Sequence, residues 1–285
     1  MNWGFLAPVA LATSLCMTPV GALAHDAAKY PDWKGQWSRF IVRGLPGQPS
    51  FDQTKPWGYG QQAPLTEEYK AVFEASLADQ AKGGTGNYPT AHCLAAGMPL
   101  MMIGFRPLEF VITADTTYVL IGSEDHYRRI FTDGRDWPKE IEPSYAGYSI
   151  GKWIDEDGDG GYDVLQVETR GFKGPRAYDA TGLPLHFDNQ SVFKERIYLD
   201  KADANLLHDE ITVIDHALTR PWTVDKKYIR DKNPWPSWEE FICPENNNHI
   251  VVGKEEYFVS ADGYLMPVRK GQSPPDSRYF NQARK

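Results

Sequence analysis

The sequence predicts a mainly β protein, an antiparallel up-and-down meander that closes into a barrel and is preceded by one helix. Eight runs of alternating apolar and polar residues follow one another between positions 108 and 230, with turn residues between them. Several connections are short, such as Ala114-Asp115-Thr116, which favours hairpin pairing of neighbouring strands. A meander of this size tends to close because closure hides its edge strands. We find no internal repeat or linker, so we predict a single domain over residues 25–285.

The first 24 residues have the pattern of a signal peptide. Residues 1–24 contain no charged side chain, and an apolar run from Phe5 to Met17 is followed by the triplet Ala22-Leu23-Ala24. This pattern is typical of a secretory signal cleaved after Ala24. A membrane anchor is the alternative, but a bilayer span needs about 20 apolar residues. We therefore expect a periplasmic or extracellular protein without a transmembrane segment.

Two elements precede the meander. Residues 25–62 are rich in Pro, Gly and Trp and predict an irregular arm with one strand, Gln36–Val42. Residues 66–82 predict a helix that Thr66 caps and that Gly83 and Gly84 end. Apolar side chains recur along this helix at helical spacing: Tyr69, Val72, Phe73 and Leu77.

The meander itself is predicted over residues 108–259. Two candidate strands, His249–Gly253 and Tyr257–Val259, come after the eight runs and either complete the closure or cap the barrel. The eight runs are Leu108–Thr113, Thr117–Gly122, His126–Thr132, Ser149–Ile154, Tyr162–Glu168, Val192–Leu199, Leu206–Asp215 and Trp222–Arg230.

Alternation along two of these runs suggests a charged pair inside the barrel. Tyr127, Arg129 and Phe131 share one face, and we take this aromatic face as the interior. Glu195 lies on an otherwise apolar face of its run. A charge among apolar side chains is costly unless it is paired, so Arg129 and Glu195 are predicted to meet across the lumen. Either they form a structural salt bridge, or Glu195 is an acid–base group and Arg129 binds an oxygen-bearing substrate group.

Histidines offer further candidate site residues. His186 lies on a predicted loop, and loops at a barrel mouth carry chemistry more often than strands. It is either a functional group or a hydrogen-bonded surface residue. One face of the Leu206–Asp215 run and the residue after it predict a solvated surface: His208, Glu210, Thr212, Ile214 and His216.

The acidic stretch at 155–163 resembles a calcium-binding loop. It carries acidic residues at spacings that hard cations favour, but Gln166 replaces the usual bidentate Glu, and strands are predicted on both sides. The alternatives are an acidic hairpin tip and a calcium site; no other cofactor is expected. The candidate ligands are Asp155, Asp157, Asp159 and Asp163.

Cleavage after Ala24 would leave two cysteines, Cys93 and Cys243. In an oxidising compartment an isolated pair predicts a disulfide more readily than a nucleophile or a metal site.

The charge balance and the absence of familiar motifs exclude several functions. The chain has 30 Lys and Arg against 38 Asp and Glu, a formal charge of −8, which argues against a nucleic-acid partner. The sequence has no zinc-protease helix, nucleophile elbow, phosphate-binding loop or dinucleotide fingerprint.

Several local patterns resemble a widespread group of exported bacterial proteins of uncharacterised function. They include Gly35-Gln36-Trp37, the stretch 147–153 and Arg220-Pro221-Trp222. The resemblance implies no activity, but it brings Cys93 and Cys243 forward as a matched pair. The Gly-x-Trp motif on a first strand is also similar to that of the lipocalins, whose barrels hold small hydrophobic molecules; this is an analogy of fold.

These observations predict an exported barrel that encloses a small apolar or aromatic molecule. In one version it has lyase, hydratase or isomerase chemistry, and in another it is a non-catalytic binding protein. A third interpretation is a surface protein that contacts a glycan or another protein through Trp57 and the segment 234–238. The candidate catalytic residues are Glu195, Arg129, Tyr127 and His186.

Overall fold

The structure is a computed structural model that describes residues 1, 26–39, 60, 62–104, 106–122, 126–238, 249–260 and 264–274. The predicted signal peptide, Trp57 and Cys243 lie outside the described residues. Export and the Cys93–Cys243 disulfide therefore remain predictions. No helix in the described part of the chain has both the length and the apolar character that a bilayer crossing requires.

Nine strands form a closed barrel, which confirms the predicted closure; the ninth member is the strand of the N-terminal arm, which joins the eight predicted runs. Strands that follow one another along the chain are neighbours, and the last strand returns to the first, where Arg230 pairs with Trp37. No edge of this sheet is left open. The strands are β1 (Gln36–Arg39), β2 (Leu108–Ile112), β3 (Thr116–Ile121), β4 (His126–Phe131), β5 (Tyr148–Ile154), β6 (Val164–Arg170), β7 (Val192–Leu199), β8 (Leu206–Ile214) and β9 (Trp222–Arg230).

One strand pair departs from the predicted antiparallel meander. β4 and β5 are parallel, with Ile130 opposite Ser149 and Phe131 opposite Ile150. Parallel neighbours need a connection that returns the chain to the end at which the first strand began. The irregular segment 132–147 makes that return. The sequence prediction of an entirely antiparallel barrel is therefore wrong at this one pair.

The C-terminal strands do not complete the barrel. They form a separate three-stranded sheet, which consists of β10 (His249–Val252), β11 (Glu255–Val259) and β12 (Leu265–Pro267). They cannot lie between the first and the last barrel strand, because β1 and β9 pair directly with each other.

Helix α1 spans Glu67–Gln80 and matches the predicted position. The Thr66 hydroxyl oxygen accepts a hydrogen bond from the backbone nitrogen of Tyr69 at 3.3 Å. The helix buries Tyr69, Phe73 and Leu77 as predicted, whereas Val72 is exposed. The buried stripe is thus narrower than the apolar pattern indicated.

The cap at Thr66 gives a first testable prediction. We expect Thr66→Ala to lower the free energy of unfolding by about 0.5–2 kcal/mol, because an amide in the first turn loses its acceptor. Thr66→Ser keeps the hydroxyl and should retain most of the stability. Urea unfolding followed by tryptophan fluorescence measures both, and an equal loss in the two variants would contradict a capping role.

Side chains and two inserted segments fill the barrel. The first segment, Met98–Ile103, includes a short 3-10 helix, and we call it the plug. The second is the loop between β6 and β7, whose residues 177–179 are buried. The strands add a mostly apolar lining that includes Trp37, Leu108, Val119, Ile121, Leu165, Phe193, Ile197, Ile211 and Val224. Polar groups that reach this interior are therefore unusual and informative.

Candidate functional site

The interior face of β4 is the one opposite to our prediction. Arg128 is 1% exposed and lies inside, whereas Tyr127 is 59% exposed and Arg129 is also exposed. Outside the barrel, the Arg129 guanidinium lies 5.7 Å from the centre of the Phe131 ring. Alternation separates two faces but does not say which one is inside. The interior around Arg128 is polar, because its partners there are Ser149, Thr169 and Glu195. An arginine therefore occupies this position, and the aromatic side chains lie on the other face.

Arg128 and Glu195 form a buried ion pair. Both terminal nitrogens of Arg128 donate to the Glu195 carboxylate; the bond from Nη1 to Oε1 is 2.7 Å long. Arg128 also donates to Ser149 Oγ at 3.1 Å and to Thr169 Oγ1 at 2.7 Å. Burial alone would lower the pKa of Arg128, but the Glu195 carboxylate raises it. Glu195 is interior, as predicted, but its partner is Arg128 and not Arg129.

A second pair of ionisable side chains lies in the interior, and our sequence analysis missed it. Asp209 on β8 and Lys226 on β9 occupy directly opposite positions in the sheet. Asp209 is 0% exposed, and neither of its carboxylate oxygens has a hydrogen-bond partner. Lys226 Nζ donates instead to the backbone oxygen of Pro99 at 3.0 Å. Alternation contains the signal for this pair, because Asp209 shares its strand face with Ile211 and Val213.

Burial perturbs the protonation of both groups. It raises the pKa of Asp209 well above its usual range, because the carboxylate loses its hydration and Glu195 adds negative charge. It lowers the pKa of Lys226 to about 8, although Asp209 acts in the opposite direction. Strongly perturbed pKa values of this kind are common at functional sites.

Two tyrosines complete what we call the interior polar cluster, namely Asp209, Lys226, Tyr178 and Tyr228. The Tyr178 ring lies 5.0 Å from Lys226 Nζ and 4.6 Å from the Trp222 ring. The Tyr178 hydroxyl and Trp222 Nε1 are buried without a hydrogen-bond partner, like the Asp209 carboxylate. The Tyr228 hydroxyl donates to the backbone oxygen of Met102. Unpartnered donors and an unpartnered acceptor therefore share one region of the barrel.

The plug makes its polar contacts through backbone oxygens. Lys226 donates a hydrogen bond to the backbone oxygen of Pro99, and Tyr228 donates one to that of Met102. Arg176 Nη1 lies 3.4 Å from the backbone oxygen of Met98. Glycines with positive φ, Gly97 at 65° and Gly104 at 69°, lie directly before and after the plug. Its three methionine side chains are buried and conformationally adaptable.

His186 lies near the barrel end at which β8 finishes, beside two other potential metal ligands. Its Nδ1 is 3.0 Å from Asp188 Oδ1, and His216 Nδ1 is 2.6 Å from Asp188 Oδ2. We call His186, Asp188 and His216 the mouth cluster. Burial alone would raise the pKa of Asp188, but hydrogen bonds from the Gln190 amide and the two histidines lower it to about 2. The hydrogen bond to Asp188 raises the pKa of His216.

His208 shares the predicted outward face with the exposed Ile214 and His216, but neighbouring residues cover its side chain, which is not solvated as predicted. It is buried, with Nδ1 3.0 Å from Asp225 Oδ2 and Nε2 3.3 Å from Asp200 Oδ2. The Tyr198 ring stacks on it at 4.9 Å. Its pKa is raised, chiefly by the hydrogen bond with Asp225. Two carboxylates therefore satisfy this histidine, which points to a structural role.

The acidic stretch is the hairpin tip between β5 and β6. Carboxylate oxygens of Asp155, Asp157 and Asp159 lie within 4.8 Å of one another, and Asp163 is not part of this group. Asp155 accepts hydrogen bonds from the amides of Gly158 at 2.7 Å and Gly160 at 3.0 Å. The loop thus supplies donors to its own carboxylates, and calcium binding remains a prediction.

The tryptophan-rich segment lies on the surface. Trp235 is 85% exposed, and Trp238 is partly exposed beside a recess of about 240 Å³ that Gln36 and Arg106 also line.

No protein-family model matches the chain, and no curated protein matches it significantly. We therefore base the proposed function on the chemistry of the chain's own residues.

Proposed function

We propose that this protein binds a small apolar or aromatic molecule inside its barrel and that Asp209 and Lys226 perform acid–base chemistry on it. The observation that carries the proposal is the fully buried Asp209 carboxylate without a hydrogen-bond partner. Buried polar groups are almost always partnered, so an unpartnered carboxylate indicates a group that something else completes. A carbonyl, hydroxyl or amine group on a bound molecule would supply the missing hydrogen-bond partner.

The chemistry follows from the two pKa values. The raised pKa of Asp209 makes it an acid that keeps its proton, and a pKa of about 8 makes Lys226 a base that can lose one near neutral pH. Two such groups on adjacent strands can take a proton from one atom of a substrate and return it to another. That is the requirement for isomerisation, elimination or hydration, which are isomerase, lyase and hydratase reactions.

The hydrogen bonds to the plug favour a ligand that carries oxygen atoms. Lys226 and Tyr228 donate to the backbone oxygens of Pro99 and Met102, so the barrel already positions donors toward carbonyl groups. A ligand carbonyl or hydroxyl that replaced these oxygens would keep both donors satisfied. The adaptable methionines would then leave space for its apolar part.

The other candidate catalytic residues have different roles in this proposal. Glu195 is satisfied by its ion pair with Arg128 and has a structural role. Tyr127 and Arg129 are on the outside of the barrel and take no part. His186 belongs to the mouth cluster.

Experiments distinguish this proposal from two alternative functions. A non-catalytic binding protein would use the same cluster, and it would return its ligand unaltered after long incubation. A glycan- or protein-contacting surface is favoured by the exposure of Trp235. In that case soluble polysaccharides would quench tryptophan fluorescence more than small aromatic compounds do.

Native mass spectrometry of the protein purified from its own compartment tests the proposal. We expect a small molecule bound to the wild type and to Lys227→Met, but not to Lys226→Met, because only residue 226 faces the interior. Lys227 is the matched control, since it is the next residue of the same strand. The same spectrum reports processing and pairing, since a chain of residues 25–285 lacking two hydrogens is expected. An equal ligand load in both variants would reject the interior cluster as the site.

A further inference from the structure

We propose that His186, Asp188 and His216 bind a divalent transition metal ion at the mouth of the barrel. The three residues each offer one ligand atom, and these atoms all lie within 4.8 Å of one another. This site is separate from the interior polar cluster, and its existence does not depend on the function proposed above.

The two histidines face one carboxylate. Nδ1 of His186 and Nδ1 of His216 lie 3.0 Å and 2.6 Å from different oxygens of Asp188. Without a metal, imidazole N–H groups that donate to the carboxylate account for these contacts. One divalent ion that replaced these protons would use the same three ligand atoms.

The ligand set indicates the class of metal. Two imidazoles and one carboxylate are ligands for zinc and for other first-row divalent metals, whereas calcium and magnesium prefer oxygen ligands alone. Metal–nitrogen and metal–oxygen bonds of about 2.0–2.2 Å place ligand atoms about 3.0–3.5 Å apart, so the 2.6 Å separation between His216 and Asp188 would lengthen when the ion binds. Three protein ligands leave a coordination position for water, as in catalytic zinc sites.

Asp215 holds the two parts of the chain that carry the ligands. Its Oδ1 accepts hydrogen bonds from the backbone nitrogens of His186 at 2.9 Å and Ala217 at 2.8 Å. Its other oxygen accepts from the Ser191 hydroxyl. One buried carboxylate thus fixes the backbone beside both His186 and His216. Ordered backbone of this kind is what keeps metal ligands in place.

The ring of His186 is also oriented. It lies against the rings of Tyr69 at 5.1 Å and Phe187 at 4.4 Å. The backbone nitrogen of Asp188 lies 3.2 Å from His186 Nδ1, so ion binding at this atom would displace a weak local hydrogen bond. The side chain of His216 is 65% exposed, so an ion can reach the cluster from solvent.

The test is calorimetric titration of the purified protein with Zn²⁺, together with visible absorption of the Co²⁺ form. We expect one ion per chain and a Co²⁺ spectrum with nitrogen ligation. His216→Ala should weaken binding by more than about 100-fold, and Asp215→Asn, a positioning variant, by about 10–100-fold. His92→Ala removes an exposed imidazole elsewhere and should bind as the wild type does.

The variant at position 216 is a safe probe because its side chain is mostly in solvent, and thermal unfolding without metal verifies that it folds. If His216→Ala does not fold, Asp188→Asn replaces it as the test variant, because it removes the negative charge of the carboxylate with little change in side-chain shape. Absence of Zn²⁺ binding by the wild type would overturn the proposal. So would equal binding by the wild type and a folded His216→Ala or Asp188→Asn, because the ion would then lie elsewhere.

Discussion

Replacing Arg128 with methionine should lower the free energy of unfolding by about 3–5 kcal/mol. The substitution leaves Glu195 as an uncompensated charge in the interior, and it removes donors to Ser149 and Thr169 as well. Breaking one side of a buried ion pair costs far more than the pair itself contributes, because the remaining charge has lost both its partner and its hydration. Urea unfolding followed by tryptophan fluorescence measures the loss.

Two further variants show whether the charge is responsible. Arg129→Met changes the adjacent, exposed arginine and should alter stability by less than about 0.5 kcal/mol. The double variant Arg128→Met with Glu195→Leu removes both charges and should recover much of the loss. A similar loss in Arg128→Met and Arg129→Met would contradict the assignment of Arg128 to the interior. A double variant as unstable as the single one would assign the cost to packing.

Asp209→Asn should make the protein more stable than the wild type near pH 8 by more than about 1 kcal/mol, because each unit by which burial raises the carboxyl pKa costs about 1.4 kcal/mol once the unfolded chain is ionised. The folded-state pKa of Asp209 is raised, so the folded protein keeps a proton that the unfolded chain has lost. Stability from this group is therefore fully present below the unfolded pKa of about 3.9 and declines as the pH rises above it. The asparagine variant removes that decline, so the difference between the two proteins should grow with pH.

The measurement is denaturant unfolding at several values between about pH 4 and about pH 8. Lys226 acts with the opposite sign only above about 8, because its folded pKa lies below its unfolded value. Asp136→Asn, an exposed aspartate on the 132–147 connection, is the control and should follow the wild type. A constant or shrinking difference would show that Asp209 has a normal pKa and is solvated.

The same variant also bears on function. If Asp209 binds a ligand, Asp209→Asn should gain stability and lose the co-purifying molecule at the same time. Functional groups are commonly held at a cost in stability, so the combined result is the one expected of a site. A gain in stability with ligand retained would leave Asp209 as a buried group that the ligand does not use.

Local pattern was sufficient for much of the fold. Alternation along the chain predicted the eight strands from β2 to β9, and the cap at Thr66 with its helical spacing predicted α1. These signals are local, because the side-chain periodicity of a strand or a helix shows in consecutive residues. The burial of Glu195 and the hairpin at 155–163 followed from the same reasoning.

Which face is inside was not available from the sequence. Arg128 and Arg129 are adjacent and have the same side chain, and only the pairing of β4 with its neighbours places the first of them in the barrel. The parallel pairing of β4 and β5 likewise depends on where the segment 132–147 leads the chain.

Sequence by itself located the eight runs of the meander and their order, because the alternation of a strand lies in consecutive residues. It did not decide that the arm strand Gln36–Arg39, and not the C-terminal strands, closes the barrel. Tertiary structure alone decided which side chains meet. The Asp209–Lys226 pair and the mouth cluster join residues from different strands and loops, and their separation depends on long-range register. A shift of one residue in that register would exchange interior and exterior, and with them the chemistry of the barrel.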